Sequence, residues 1–239
     1  MKKKPPPPEN FDETREQIHR QMLSAVSHDL KTPLATIIGS LEIYNRMDEK
    51  LSREKQRSLV ISALSEAYRL DNFISNILDM AKLESGMVQV NNEKCDLKSL
   101  LEDAITRLGP RRERGELRLQ RIGSGSTVNT DPMLMGRAVQ LLLENALRHT
   151  GKHPVVVVDY GIEGSKGVIR VRDNGPGIPR GQEKNIFSKY TRLGDSDTRN
   201  AGTGLGLAIC QGIMRILSGE VKAENDTAGG AVFLLVFPA

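Results

Sequence analysis

Residues 22–44, MLSAVSHDLKTPLATIIGSLEIY, place apolar side chains at steps of three and four: Met22, Ala25 and Val26, then Leu30, Leu34, Ile37, Ile38, Leu41 and Tyr44. Ile18 extends the pattern backwards. This is the period of an amphipathic helix. From Phe11 to Ser85 the sole proline is Pro33 and the sole glycine is Gly39. A charged stretch, Arg46–Glu54, interrupts the pattern, and Ser52 is placed to cap a second helix. That helix carries Leu59, Ala63, Leu70, Phe73, Ile74, Ile77 and Ala81 on one stripe. Two long helices on a short turn make an αα-hairpin whose broad apolar face has nothing in its own chain to cover it. Pairing two hairpins into a four-helix bundle covers that face, so a homodimer is expected.

After Glu84-Ser85-Gly86 the texture changes. Leu97–Leu108 reads as a helix, Leu117–Ile122 as a strand and Pro132–His149 as a strongly apolar helix. Asp131 stands before Pro132 as an N-cap followed by a first-turn proline. Strands are expected at Val155–Tyr160 and Val168–Asp173, a helix at Leu205–Leu217, and closing strands at Glu220–Glu224 and Ala231–Phe237. Helices mixed with hairpin-connected strands give an α+β fold, a sheet layered against helices. The expected organisation is a disordered leader over 1–10, a dimerising helical hairpin over 11–85, a linker over 86–96 and an α/β sandwich over 97–239.

Composition narrows the function. The 239 residues are 38% hydrophobic and 27% charged, ordinary for a globular protein. With no Trp, four Tyr and five Phe, little is available to stack on bases. Much of the +4 net charge lies in Lys2–Lys4 and in Arg111, Arg112 and Arg114, which read as solvated ends, so nucleic-acid binding is not expected. Cys95 and Cys210 lack the spacing of a metal site or redox pair and read as reduced thiols of a reducing cytosol. No run of about 18 apolar residues exists to span a bilayer. The expected location is cytoplasmic, with a membrane tie only if the chain is part of a longer protein. Met1–Asn10 has four successive prolines and no apolar stretch, which is not a secretory signal.

Two glycine-rich stretches stand at strand and helix ends. Asp173-Asn174-Gly175-Pro176-Gly177 follows a strand, and Gly202-Thr203-Gly204-Leu205-Gly206 leads into a helix. Glycines there let backbone approach a ligand, and a helix N-terminus offers N–H groups to phosphate. Each stretch alone fits a plain turn or tight packing as well. No GxxxxGK[ST] occurs, and the second stretch follows a long loop, which sets aside Walker-type and Rossmann sites.

The ordered set of segments carries more. Ser27-His28-Asp29-Leu30-Lys31-Thr32-Pro33-Leu34 resembles the H-box of histidine kinases, and Glu144-Asn145-Ala146-Leu147-Arg148-His149-Thr150 their N-box. Asp173–Gly177 is similar to their first G-box, Ile186-Phe187 through Arg192 to the F-box, and Gly202–Gly206 to the second G-box. The wording around His28 is further similar to the potassium-sensing branch. The resemblance implies a sensor histidine kinase core that uses ATP and Mg2+ to phosphorylate its own His28. It also implies a homodimer that passes the phosphoryl group to an aspartate of a response-regulator receiver domain, and that also dephosphorylates that partner. The rival is a chaperone-like conformational ATPase, or a nucleotide-sensing scaffold, of the same ATP-binding superfamily. Glu144 would serve a chaperone-like ATPase, which is also expected to carry large downstream domains, and a pure scaffold does not need Asp29 and Thr32 around His28.

The resemblance also implies roles. Asn145 binds the magnesium ion bridging the ATP phosphates, with Glu144 helping to activate or orient it. Asp173 accepts a hydrogen bond from the adenine amino group, and Gly175 and Gly177 shape the pocket floor. Arg148 and His149 lie near phosphates or ribose, although His149 fits a capping or packing role equally. Gly202, Gly204 and Gly206, with Thr203 among them, let a lid over 194–201 fold onto the triphosphate, while Leu205 and Leu207 anchor the next helix. Arg192 and Arg199 reach phosphate or sit in a solvated loop. Phe187 and Tyr190 brace the lid or pack in the core. Asp29 orients His28 or takes its proton. Thr32, one turn along, joins Asp29 in orienting water for dephosphorylation, and Pro33 bends the helix past the site. Lys31 assists phosphate or is an ordinary surface lysine. His19 reads as a surface residue, and His153 has no role.

Overall fold

The computed structural model describes residues 11–47, 51–191 and 203–239, and leaves aside the side chains of residues 11–26, 28, 110 and 114. The leader over 1–10, the lid over 194–201, Arg192, Arg199, Gly202 and the side chains of His19 and His28 therefore lie outside the described residues. The chain forms two compact units that divide between Ser75 and Asn76.

The first unit is built on α1 (Phe11–Met47) and most of α2 (Arg53–Ser85). α1 runs on through Pro33, which has no N–H to give to the preceding turn. Ser52 Oγ accepts the Lys55 N–H at 3.3 Å and so caps α2 as its sequence suggests. Ala63 and Phe73 are buried, at 7% and 4% exposure. Leu34, Ile38, Leu41, Ile61, Leu64 and Ile74, by contrast, are each more than two-fifths exposed. Water-exposed apolar surface of that extent is unusual for an isolated chain.

The second unit begins with the last turns of α2. Met80 is buried in its core, with Ile77 and Leu83 packed beside it. Polar contacts fix the same turns: Arg137 Nε donates to Asp79 Oδ2 at 2.8 Å, and Arg137 NH2 donates to Asn76 Oδ1 at 2.8 Å. Lys189 forms an ion pair with Glu84.

Next come β1 (Glu93–Asp96), α3 (Leu97–Thr106), β2 (Glu116–Gly123), β3 (Thr127–Thr130) and α4 (Pro132–His149). The chain continues through β4 (Val155–Glu163), β5 (Lys166–Asp173), α5 (Gly206–Ile216), β6 (Glu220–Asn225) and β7 (Ala231–Pro238). Five strands form a sheet in the order β2-β4-β5-β7-β6, with β2 and β4 parallel and the other pairs antiparallel. β1, inside the stretch expected as a linker, pairs antiparallel with β3. α3, α4 and α5 pack on one another and on the sheet, giving the expected α/β sandwich.

Capping explains where α4 starts. Asp131 Oδ1 accepts the N–H groups of Met133 and Leu134, each at 3.0 Å, and Oδ2 accepts the Asn91 N–H at 2.9 Å. One carboxylate thus begins the helix and anchors the segment after α2. Leu101, Met135, Leu142, Ile169, Ile209 and Leu235 are among the fully buried core side chains. Each such burial contributes roughly 1.5–3 kcal/mol. No helix among the described residues is long and apolar enough to cross a membrane.

Arg137→Met removes the polar clamp on α2 while keeping the stem that packs there. Charge-assisted hydrogen bonds contribute about 1.5–3 kcal/mol, so amide exchange over residues 80–85 should quicken about tenfold or more. Hydrogen–deuterium exchange checks this; unchanged protection would mean that Met80 and Leu83 alone hold the helix end.

Candidate functional site

The site lies where the C-terminal end of α4 meets the loop after β5. α4 is apolar on the side that meets α3, α5 and the sheet, and it carries Glu144, Asn145, Arg148 and His149 in its last two turns. Asn145 is half-buried, and its amide has no hydrogen-bond partner among the described residues. Glu144 is different: it is 9% exposed and its carboxylate is engaged. Gln140 Nε2 donates to Oε1 at 3.0 Å, and Arg111 NH1 lies 3.3 Å from Oε2. Arg111 is therefore no solvated end. The 3-10 turn Gly109–Arg114 carries it to the helix, where its side chain is only 22% exposed. Arg112 is exposed, as its sequence reading has it.

Asp173 ends β5 and is 9% exposed. Its Oδ1 accepts two backbone donors, Gly175 N–H at 2.8 Å and Ala231 N–H at 3.2 Å. Its Oδ2 accepts none among the described residues. Asn174 ties the same loop to the start of β4, accepting the Val155 N–H at 2.7 Å and donating to His153 O at 3.2 Å. Past Gly177, Asn225 holds both main-chain groups of Ile178, accepting its N–H at 2.6 Å and donating to its carbonyl at 2.8 Å.

Gly230 completes this corner. Its φ is +96°, and an added Cβ would stand 1.9 Å from the Asp173 carbonyl oxygen. Only glycine fits there, on both conformational and steric grounds. Gly230, Ala231, Asn174, Asn225 and Arg111 are absent from the site as read from sequence. The pair Gly229-Gly230 before a strand is the one signal that could have pointed to this hairpin.

On the other flank, Thr203 Oγ1 accepts the Leu205 N–H at 3.2 Å, and α5 starts at Gly206 with no side chain capping it. Leu205 is buried, at 1% exposure, and anchors the helix start. Gly204 has φ +67°, and a Cβ would come within 2.7 Å of the Tyr190 backbone, whose N–H donates to Gly204 O at 2.9 Å. Phe187 is a buried core residue, and Tyr190 packs partly against the same core. Gly206 packs near Leu141 of α4.

In the first unit, Asp29 is half-buried, while Lys31 and Thr32 are exposed on α1. Thr32 O accepts the Thr36 hydroxyl at 3.2 Å. His153 is exposed. Among the described residues, no three His, Cys, Asp or Glu side chains gather to hold a metal ion.

His149 is open to solvent on one side, yet its imidazole is held below the ordinary pKa. The covered side of the ring is the larger cause, the Arg148 guanidinium the next, and Asp173 opposes them. The folded chain thus takes up this proton less readily than the unfolded chain. The group's contribution to stability is retained above the ordinary histidine value of about 6.5 and declines as pH falls below it.

Two family matches cover most of the chain. Residues 18–86 match the His Kinase A (phospho-acceptor) domain, and residues 130–239 match the histidine kinase-, DNA gyrase B- and HSP90-like ATPase family. The sensor protein KdpD of Escherichia coli K12 is 34% identical over 226 residues, 94% of this chain and 25% of KdpD. KdpD of Mycobacterium tuberculosis is 30% identical over 225 residues, 92% of this chain and 26% of that protein. The chain thus spans about a quarter of the length of these curated relatives. Among solved structures, histidine kinase ThkA in complex with response regulator protein TrrA has a TM-score of 0.68 at 22% identity, covering 96% of this chain and 64% of that one. Acinetobacter baumannii histidine kinase AdeS gives 0.65 at 19% identity, covering 88% and 97%. Full-length ShkA in complex with AMPPNP gives 0.63 at 23% identity, covering 91% and 45%.

In an NMR titration, His149 should show a midpoint below the ordinary histidine value, and Arg148→Met should raise it. A midpoint indifferent to Arg148 would remove that charge from the account. Gly230→Ala should lower the melting temperature and weaken adenine-nucleotide binding together, since the strained φ alone costs roughly 1–3 kcal/mol. Unimpaired binding in a folded variant would break the link between this hairpin and the pocket.

Proposed function

The chain belongs to the sensor histidine kinases, holding the catalytic core of an ATP-dependent protein-histidine kinase, and on that footing we propose that His28 is the residue it phosphorylates. What supports this most is the joining, in one chain, of a phosphoacceptor-type hairpin bearing His28 to an ATPase-type sandwich with an open Asp173 carboxylate oxygen. An ATPase with no histidine acceptor would leave the hairpin without a purpose.

In this reading Asp173 Oδ2 accepts a hydrogen bond from the adenine amino group. A base lacking that donor would leave a mostly buried carboxylate oxygen unpaired, which costs more than the bond itself contributes. Gly175 and Gly177 form the pocket floor. The Asn145 amide oxygen fits a magnesium ion, a hard cation that takes oxygen ligands and keeps most of its water and phosphate contacts. When bound, that ion neutralises charge building on the phosphates. Arg148 adds positive charge at the same helix end, with His149 beside it, and the uncapped N–H groups where α5 begins, next to Thr203, Gly204, Leu205 and Gly206, face phosphate favourably. Arg192 adds a further positive charge to these.

The chemistry at His28 is a direct displacement. The lone pair of one imidazole nitrogen attacks the γ-phosphorus, an N–P bond forms, and the P–O bond to ADP breaks. Asp29 holds the N–H on the other nitrogen and takes up the excess proton. Glu144 orients the magnesium-bound groups. The phosphoryl group then moves to an aspartate of a response-regulator receiver, the class of partner present in the ThkA complex. Asp29 and Thr32 direct water for the reverse task of dephosphorylating that partner. The exposed apolar stripe of the first unit supports a homodimer through a four-helix bundle. We place the reaction on the cytoplasmic side, where ATP and receiver domains are found.

With γ-labelled ATP and magnesium, label should enter the protein in an acid-labile, alkali-stable form and be missing from His28→Gln. Label persisting in that variant would move the acceptor elsewhere. Asn145→Ala should abolish labelling without altering the oligomeric state seen by light scattering; full labelling would take the metal away from Asn145.

A further inference from the structure

Glu144 is the one carboxylate of α4's last turns that is buried, and it is held from two sides. Gln140 Nε2 donates to Oε1 at 3.0 Å from one turn earlier, while Arg111 NH1 stands 3.3 Å from Oε2. The arginine comes from outside the helix, on the 3-10 turn Gly109–Arg114 that links α3 to β2. Its NH1 atom is itself buried and has no hydrogen-bond partner, so what joins it to Glu144 is charge attraction. We propose that Arg111 is a positioning residue for phosphoryl transfer, acting through Glu144; this rests on the reading that α4 presents Glu144 and Asn145 to the magnesium-bound phosphates.

The physical case has three parts. A buried ion pair is a poor stabilising device, because an apolar pair of similar volume is often as stable or more so. Stability alone is thus a weak account of why Arg111 and Glu144 are both present. Second, Glu144 and Asn145 are consecutive, so their side chains leave the helix about 100° apart. Clamping one fixes the roll of the turn that aims the other, and the Asn145 amide has no partner among the described residues to aim it otherwise. Third, an uncompensated carboxylate beside the transferring group would oppose the negative charge that develops there during transfer, and Arg111 cancels the carboxylate's charge locally.

The contact is single-pronged, so a lysine ammonium can substitute for the guanidinium. Arg111→Met should lower kcat for autophosphorylation by about tenfold or more, a typical coupling within one charged network, with KM for ATP changed less than kcat. Arg111→Lys should restore most of the rate. In a Glu144→Gln background, Arg111→Met should add less than about a twofold loss, because the interaction is already gone. The double variant leaves no unpaired buried charge, which guards against simple misfolding; circular dichroism and ADP binding on all variants check the fold. Additive losses in the double variant, or a lysine no better than methionine, would overturn the inference. If Glu144→Gln is slow while Arg111→Met runs at the wild-type rate, only the role of Arg111 falls. If Glu144→Gln itself runs at the wild-type rate, the underlying reading of Glu144 falls with it.

Discussion

The end of the sandwich where β5 gives way to its loop depends on how one carboxylate divides its two oxygens. Asp173 Oδ1 takes the N–H groups of Gly175 and Ala231, and so joins the loop after β5 to the first residue of β7. Gly230 lies against the Asp173 carbonyl, where no side chain fits. Asn225, from the end of β6, then fastens Ile178 by both its main-chain groups. The loop's shape is therefore held by protein–protein bonds. Among the described residues the second Asp173 oxygen takes no donor, and the bonds to the first fix its direction. Polar groups fixed in advance bind without the ordering cost that a floppy loop would incur.

The opposite wall follows the same logic with different chemistry. α4 begins at a carboxylate, Asp131, that satisfies three backbone donors and in doing so anchors the segment after α2. It ends beside the Gly175 loop, where His149 O would touch any Cβ added to Gly175. Arg137, midway along it, grips Asp79 and Asn76, so the last turns of α2 belong by contact to the ATP-binding unit. A helix that starts in one compact unit thus finishes in the other, with Gly86 immediately after it.

Much of this was legible in the sequence where the signal is local. The two long helices, the Asp131-Pro132 start of α4 and the glycine stretches flanking the pocket follow from spacing and capping chemistry that act within a few residues. Strands β1 and β3, with sequences EKCD and TVNT, carry no alternation that would announce them. They exist because each completes the other's hydrogen bonding. The parallel pairing of β2 with β4 and the place of β7 between β5 and β6 are likewise products of long-range packing. Arg111 shows the same limit most clearly: in a run of four charged residues out of five it reads as solvated, and only the fold brings it to Glu144. Asp173 stood out only through the resemblance of its stretch to the first G-box, and one of the two donors that orient it comes from a hairpin far along the chain.

That last dependence bears on how the protein is made. β7 sits between β5 and β6 in the sheet, and its first amide is one of the two that hold Asp173. While the chain is being synthesised, β4 and β5 can pair as soon as they emerge, since they are neighbours in sequence and antiparallel. The corner around Asp173 cannot close until Ala231 has left the ribosome, because that amide and the bare Gly230 backbone belong to β7 and the turn before it. Until β7 is made, the loop after β5 lacks one of the two amides that orient the Asp173 carboxylate.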